Sequence, residues 1–99
     1  MKVEIAEEAE LDLEAIGDFI ARDNPSRALS FSKELREKCA SLATFPRRFP
    51  LLERYKQFGI RKLVHGSYLI FYRIEAKTVT VIHVLHAASD YEARLAEEG

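Results

Sequence analysis

The chain has 99 residues, 47% hydrophobic and 31% charged, with a formal net charge of -1. That balance fits one compact domain over residues 1–99, excludes a disordered or fibrous chain, and argues against a protein that seeks nucleic acid by total charge alone. The single cysteine, Cys39, cannot close an intramolecular disulfide, which fits a reducing cytoplasm. No secretory leader and no apolar run of the ~18 to 20 residues needed to span a membrane is present, so a soluble, cytoplasmic protein with no membrane partner is expected.

In chain order, Val3 to Ile5 is β-branched at two of its three positions and reads as an edge or joining strand. Ala9, Leu13, Ile16 and Ile20 then recur at helical spacing, with Phe19 widening the apolar stripe. Glu7, Glu8, Glu10 and Asp12 occupy the first turns, where acids complement the helix dipole. Asn24 is a good N-cap and Pro25 suits the first position of a second helix. Its stripe is Ala28, Phe31, Leu35, Cys39 and Leu42, and it stops before Phe45-Pro46 because the residue preceding proline disfavours the helical region. So short a connection forces an antiparallel helical hairpin.

Beyond a basic loop, Gly59 to Leu63, Tyr68 to Ile74 and Thr78 to His86 read as strands, broken by His65-Gly66-Ser67 and Glu75-Ala76-Lys77. Three antiparallel strands in a meander are expected. Val79 to Leu85 is apolar at nearly every position, which predicts a central strand buried on both faces. A short last helix over Asp90 to Glu98, capped by Ser89 or Asp90, completes an α+β fold with the helical hairpin packed on one face of the sheet.

Charge is unevenly distributed. Residues 1–45 hold 6 Lys/Arg against 10 Asp/Glu, residues 46–73 hold 7 against 1, and residues 74–99 hold 2 against 5. The middle block (Arg47, Arg48, Arg54, Lys56, Arg61, Lys62, Arg73) suits an anionic partner, a solvated loop, or pairing with the protein's own acids. On the first helix Glu10, Glu14 and Asp18 recur every four residues, a like-charge stripe that repels nucleic acid and suits a basic partner segment.

The polar residues among the strands have alternative uses. Arg73 shares parity with Leu69 and Phe71, so it either projects from a partly apolar face meant for a partner or is a strand-end arginine bound to a carboxylate or carbonyl. His86 reads as a histidine that fixes the turn toward Asp90, and His83 as structural. Three residues apart in a strand, these two histidines point to opposite faces, and Cys39 lies on a distant helix, so no metal site is expected. Ser67 and Ser89 lack a paired His and acid, and the glycines form no phosphate-binding loop. No cofactor is expected.

The order of elements resembles a known family. Asp12-Leu13-Glu14-Ala15-Ile16 with Phe19-Ile20-Ala21, the Asn24-Pro25-Ser26-Arg27-Ala28 junction, Leu42 with Phe45-Pro46, Gly59-Ile60-Arg61, Phe71-Tyr72-Arg73 and Val84-Leu85-His86 together resemble the ParE branch of the RelE/ParE toxins over nearly the whole chain. The resemblance implies a toxin held in a hetero-oligomer by a small antitoxin that wraps a segment around it. ParE-like members act on DNA gyrase, whereas RelE-like members cleave messenger RNA on the ribosome.

A nuclease of the RelE kind needs a base, cationic donors and an acid converging on one phosphate. Under that reading Arg61 and Arg73 hold the phosphate, His86 moves a proton, and Tyr91 stacks on a base or serves as a weak acid. RelE-like nucleases gather several Lys/Arg near the end of the sheet, where this chain has His86-Ala87-Ala88-Ser89. Many ParE-like sequences carry arginine where this chain has Ser89, and often where it has His83. The expectation is therefore a gyrase-binding toxin, with partner contacts through Glu10, Glu14, Asp18, Arg61, Leu69, Phe71 and Arg73. A ribosome-dependent endoribonuclease and a toxin-fold binding module without toxicity are the alternatives.

Overall fold

Residues 1–97 are described in this computed structural model. The elements run β1 (Lys2–Ile5), α1 (Glu7–Ala21), α2 (Pro25–Ser41), two 3-10 segments (Pro46–Arg48 and Glu53–Phe58), β2 (Arg61–His65), β3 (Tyr68–Glu75), β4 (Thr78–His86) and α3 (Tyr91–Ala96). The fold is α+β, as expected. The meander is extended by β1, which pairs in parallel with β4 and gives a four-stranded sheet of order β1-β4-β3-β2. β4 is central, in keeping with its apolar character on both parities.

The helical hairpin forms for the reasons visible in the sequence. The Asn24 side chain accepts the Arg27 N–H at 3.0 Å, and Pro25 occupies a position where its missing N–H costs nothing. The two helices approach closely at Gly17, where an added Cβ would come within 3.3 Å of Ser32 Oγ. Their apolar stripes, including Leu13, Leu35 and Cys39, close over Ile70, Tyr72, Val79 and Val81 of the sheet. Burial pushes the Cys39 thiol up to about 11, so it packs as a small hydrophobe.

The other face of the sheet carries a second core. Ile60, Leu69, Phe71, Ile82 and Leu85 pack there under Leu95 of α3, with Leu52, Tyr55 and Tyr91 at the margin. Glu92 holds the short helix down, pairing with Arg54 and accepting the Tyr55 hydroxyl on its carbonyl at 3.1 Å. The expected extension of this helix to Glu98 passes beyond the described residues. Neither proposed cap forms: the Asp90 side chain makes no capping bond, and Ser89 Oγ donates instead to the His86 carbonyl at 2.6 Å.

Three other departures from expectation have local causes. Phe19, expected to widen the core stripe of α1, is 62% exposed, because α1 continues past the point where β1 stops opposite Val81. Phe45 adopts the left-handed region (φ 51°, ψ 54°) rather than the extended one usual before proline. A bulge at Ile82, between the pairs Tyr72–Val81 and Phe71–His83, breaks the strict alternation along β4, while β3 keeps it.

Candidate functional site

β1 reaches only as far as Val81, so the following residues of β4 have no strand beside them on that side. Asp12 of α1 fills part of the space. Its Oδ2 accepts the Val84 N–H at 3.0 Å and the His83 Nδ1–H at 2.8 Å, while Arg94 of α3 donates to Oδ1 at 3.3 Å. One buried carboxylate thus joins α1, β4 and α3. It also substitutes for a neighbouring strand, which blunts the sheet edge. Donation from Nδ1 fixes the orientation of the His83 ring.

Above this junction lies an open groove of ≈ 350 Å³ between α1 and the end of the sheet. Ile16 and the exposed Phe19 form its helical wall, Tyr68 and His86 its sheet wall, and Ser89 and Arg94 its end. The helical wall arises because Asp12, Ile16 and Phe19 follow one another at four- and three-residue spacing on one face of α1. At the sheet wall the His86 ring stands edge-on to Tyr68, with centroids 5.1 Å apart and an interplanar angle of 84°. His86 Nδ1 accepts the Ala88 N–H at 2.9 Å, and the His86 carbonyl accepts the Ser89 N–H at 3.0 Å. Nδ1 is therefore the unprotonated nitrogen of the neutral ring, and this histidine fixes the turn as its strand-end position suggested. The groove is mainly apolar with a few polar groups, a composition that suits an amphipathic peptide segment.

The residues singled out for catalysis do not meet. Arg61 lies opposite Tyr72, one residue from Arg73, whereas His86 lies opposite Tyr68 at the far end of the same strand. Tyr68 and Arg73 are roughly 17 Å apart along β3 at ~3.3 Å per residue. Arg61 Nη1 donates to the carbonyls of Phe49 (2.6 Å) and Arg47 (3.1 Å), and Arg73 pairs with Glu75 on its own strand. Tyr91 stacks on Phe71 at 5.4 Å.

The expected partner surface is also redistributed. Leu69 and Phe71, read as a partner-facing pair, are 5% and 0% exposed and lie in the core beneath α3, so they offer no surface while that helix is docked. Alternation along β3 holds, with Ile70 and Tyr72 in the first core and Leu69 and Phe71 in the second; the expectation fails because α3, through Leu95, covers that face. On α1, Glu10 is bound by both terminal nitrogens of Arg36 at 3.0 Å, which holds its carboxyl below the ordinary glutamate value. Glu14 and Asp18 remain as the exposed acids of the stripe. Phe19, Tyr68 and Arg94, the groove residues not singled out from sequence, gave one partial signal: Phe19 sat at the edge of its stripe rather than on it.

A family model described as the ParE toxin of the type II toxin–antitoxin system parDE matches residues 3–91. The chain belongs to the ParE toxin family. In fold it is similar to the structure of a chromosomal ParDE toxin–antitoxin system from P. aeruginosa, with 19% identity, a TM-score of 0.74, and 87% of this chain and 95% of that chain covered. It is also similar to the toxin–antitoxin complex RelBE2 from Mycobacterium tuberculosis, with 25% identity, a TM-score of 0.64, and 86% and 95% covered. A comparison with curated protein sequences returns no match. Among the described residues no helix is long and apolar enough to cross a membrane.

Proposed function

We propose that the chain is a toxin that acts by binding DNA gyrase and is held inactive by a cognate antitoxin lying in the groove between α1 and the end of the sheet. The observation that carries the binding mode is the separation of Arg61 and Arg73 from His86 along β3, while Arg94, the cation that shares the groove with His86, is engaged by Asp12. A nuclease must bring cationic donors and a proton carrier to one phosphate, and groups roughly 17 Å apart along a strand at ~3.3 Å per residue cannot share one. The mainly apolar groove, with Phe19 presented on its rim, gives the antitoxin a place to bury an amphipathic segment. Glu14 and Asp18 on the same helix favour basic residues in that partner.

The likeness to the RelBE2 complex supports a second reading, ribosome-dependent cleavage of messenger RNA. Expressing the chain without antitoxin and assaying gyrase supercoiling, trapped cleavage complexes and translation-dependent message cleavage in parallel separates the two. Growth arrest with gyrase inhibited and messages intact is the expected result. Cleaved messages with supercoiling unaffected support the second reading, and the absence of arrest indicates a binding module without toxicity.

A further inference from the structure

The loop that joins α2 to the sheet has a surface that the toxin reading does not use. Phe45 is 74% exposed, and its backbone sits at φ 51°, a conformation that is costly for a bulky side chain and persists only where neighbouring contacts impose it. Those contacts are present. The buried Tyr72 hydroxyl donates to the Pro46 carbonyl at 2.5 Å, and Arg61 Nη1 holds the carbonyls of Arg47 and Phe49. Burial pushes the Tyr72 phenol up, so it remains the protonated donor this bond requires.

The side chains on this clamped loop are of two chemical kinds. Phe45 and Pro46 line a shallow surface together with Arg47 and Arg48 and no acid. The Arg48 guanidinium is itself fixed, lying over the Phe49 ring at 4.8 Å. The loop opens the 46–73 segment, where seven cations face one acid. An exposed aromatic ring on a clamped backbone, followed by two cations, is an arrangement that binds a base through its π-face and its neighbouring phosphates through charge. An acidic peptide needs the cations but gains nothing particular from a flat, exposed ring.

We propose that Phe45–Arg48 is a platform for single-stranded nucleic acid, with the Phe45 ring stacking on one base and Arg47 and Arg48 contacting the flanking phosphates. Arg61 and Tyr72 are positioning residues: they hold the loop from behind and touch no ligand. The platform is independent of whether gyrase or the ribosome is the target. It reads the base and phosphate chemistry common to DNA and RNA.

The test measures binding of fluorescently labelled oligo-dT and oligo-rU to the purified chain by anisotropy across a salt series. Phe45→Gly should weaken binding about tenfold, in line with the loss of one stacked base, without changing the salt dependence. Because glycine accepts φ 51°, this variant should melt at or above the wild-type temperature, which separates lost stacking from lost folding. Phe45→Trp should restore binding. The double variant Arg47→Ala/Arg48→Ala should instead lower the slope of log K against log salt by about 1.4, since each phosphate contact on a single strand contributes ~0.7. Binding to either sugar supports the platform when it shows this dependence on Phe45. The proposal is overturned if neither oligonucleotide binds, if Phe45→Gly binds as wild type, or if oligo-glutamate of equal charge competes as well as the nucleic acid.

Discussion

Asp12 shows how much one side chain can organise. Its carboxylate accepts from His83, Val84 and Arg94, residues 71 to 82 positions further along the chain. In the sequence it stands among Glu7, Glu8 and Glu10 and looks like another first-turn acid. Nothing local separates it from them, because its role exists only once β1 stops short and β4 arrives beside α1. Asp12→Ala removes the acceptor shared by two buried donors of β4 and should cost about 3 kcal/mol, read from the urea midpoint at constant m-value. Arg94→Ala should cost under ~1 kcal/mol, since that side chain is about half exposed. Equal losses in the two variants would mean that the junction is not centred on Asp12. Glu10 offers a second measurement at this scale. Arg36 depresses its folded pKa below the ordinary 4.5, so the pair's contribution is complete above about pH 4.5 and is lost as pH falls through the lower folded value. Both side chains are about half exposed, which limits the effect to under ~1 kcal/mol. Arg36→Ala should therefore lower stability slightly at pH 7 and match wild type near pH 2 in thermal melts; an equal deficit at both pH values would assign the loss to packing.

At the scale of elements, the parts written in local chemistry were legible. Asn24-Pro25 starts α2, and the apolar run of β4 marks the centre of the sheet. What depends on distant partners was not: the parallel pairing of β1, the bulge at Ile82, and the second core under α3. The cover by α3 is the reason Leu69 and Phe71 offer no partner surface: their shared face on β3 is as alternation predicts, but a distant helix occupies it. The turn between β3 and β4 carries a prediction of its own. Ala76 occupies the first position of a two-residue hairpin loop at φ 54°, and the equivalent position between β2 and β3 is Gly66 at φ 60°. Hairpin turns of this kind favour glycine there. Ala76→Gly should therefore stabilise the fold by about 0.5–1 kcal/mol, offset in part by added freedom in the unfolded chain. A lower melting temperature would show that this turn is not strained.

For the whole molecule, segregation of charge matters more than its near-zero sum. Acidic α1, with six Asp/Glu and no Lys/Arg, and the basic 46–73 segment, with seven Lys/Arg against one acid, are of opposite character. The candidate site was legible from sequence only where it coincides with a strand end, at His86; the groove exists because α1 overruns β1, and no local pattern encodes that overrun. If Glu14 and Asp18 steer a basic antitoxin segment, Glu14→Gln/Asp18→Asn should slow association in low salt by several-fold and leave the rate in high salt unchanged. An unaltered low-salt rate removes steering by this stripe.

The central claim is that the toxin acts by occupying its target rather than by cutting RNA, and a titration of purified gyrase with the purified chain tests it most directly. Supercoiling is expected to fall as the chain is added, to level off near equal stoichiometry and to recover when antitoxin is supplied. Undiminished supercoiling at large excess, with messages cut on translating ribosomes by the same preparation, would contradict it.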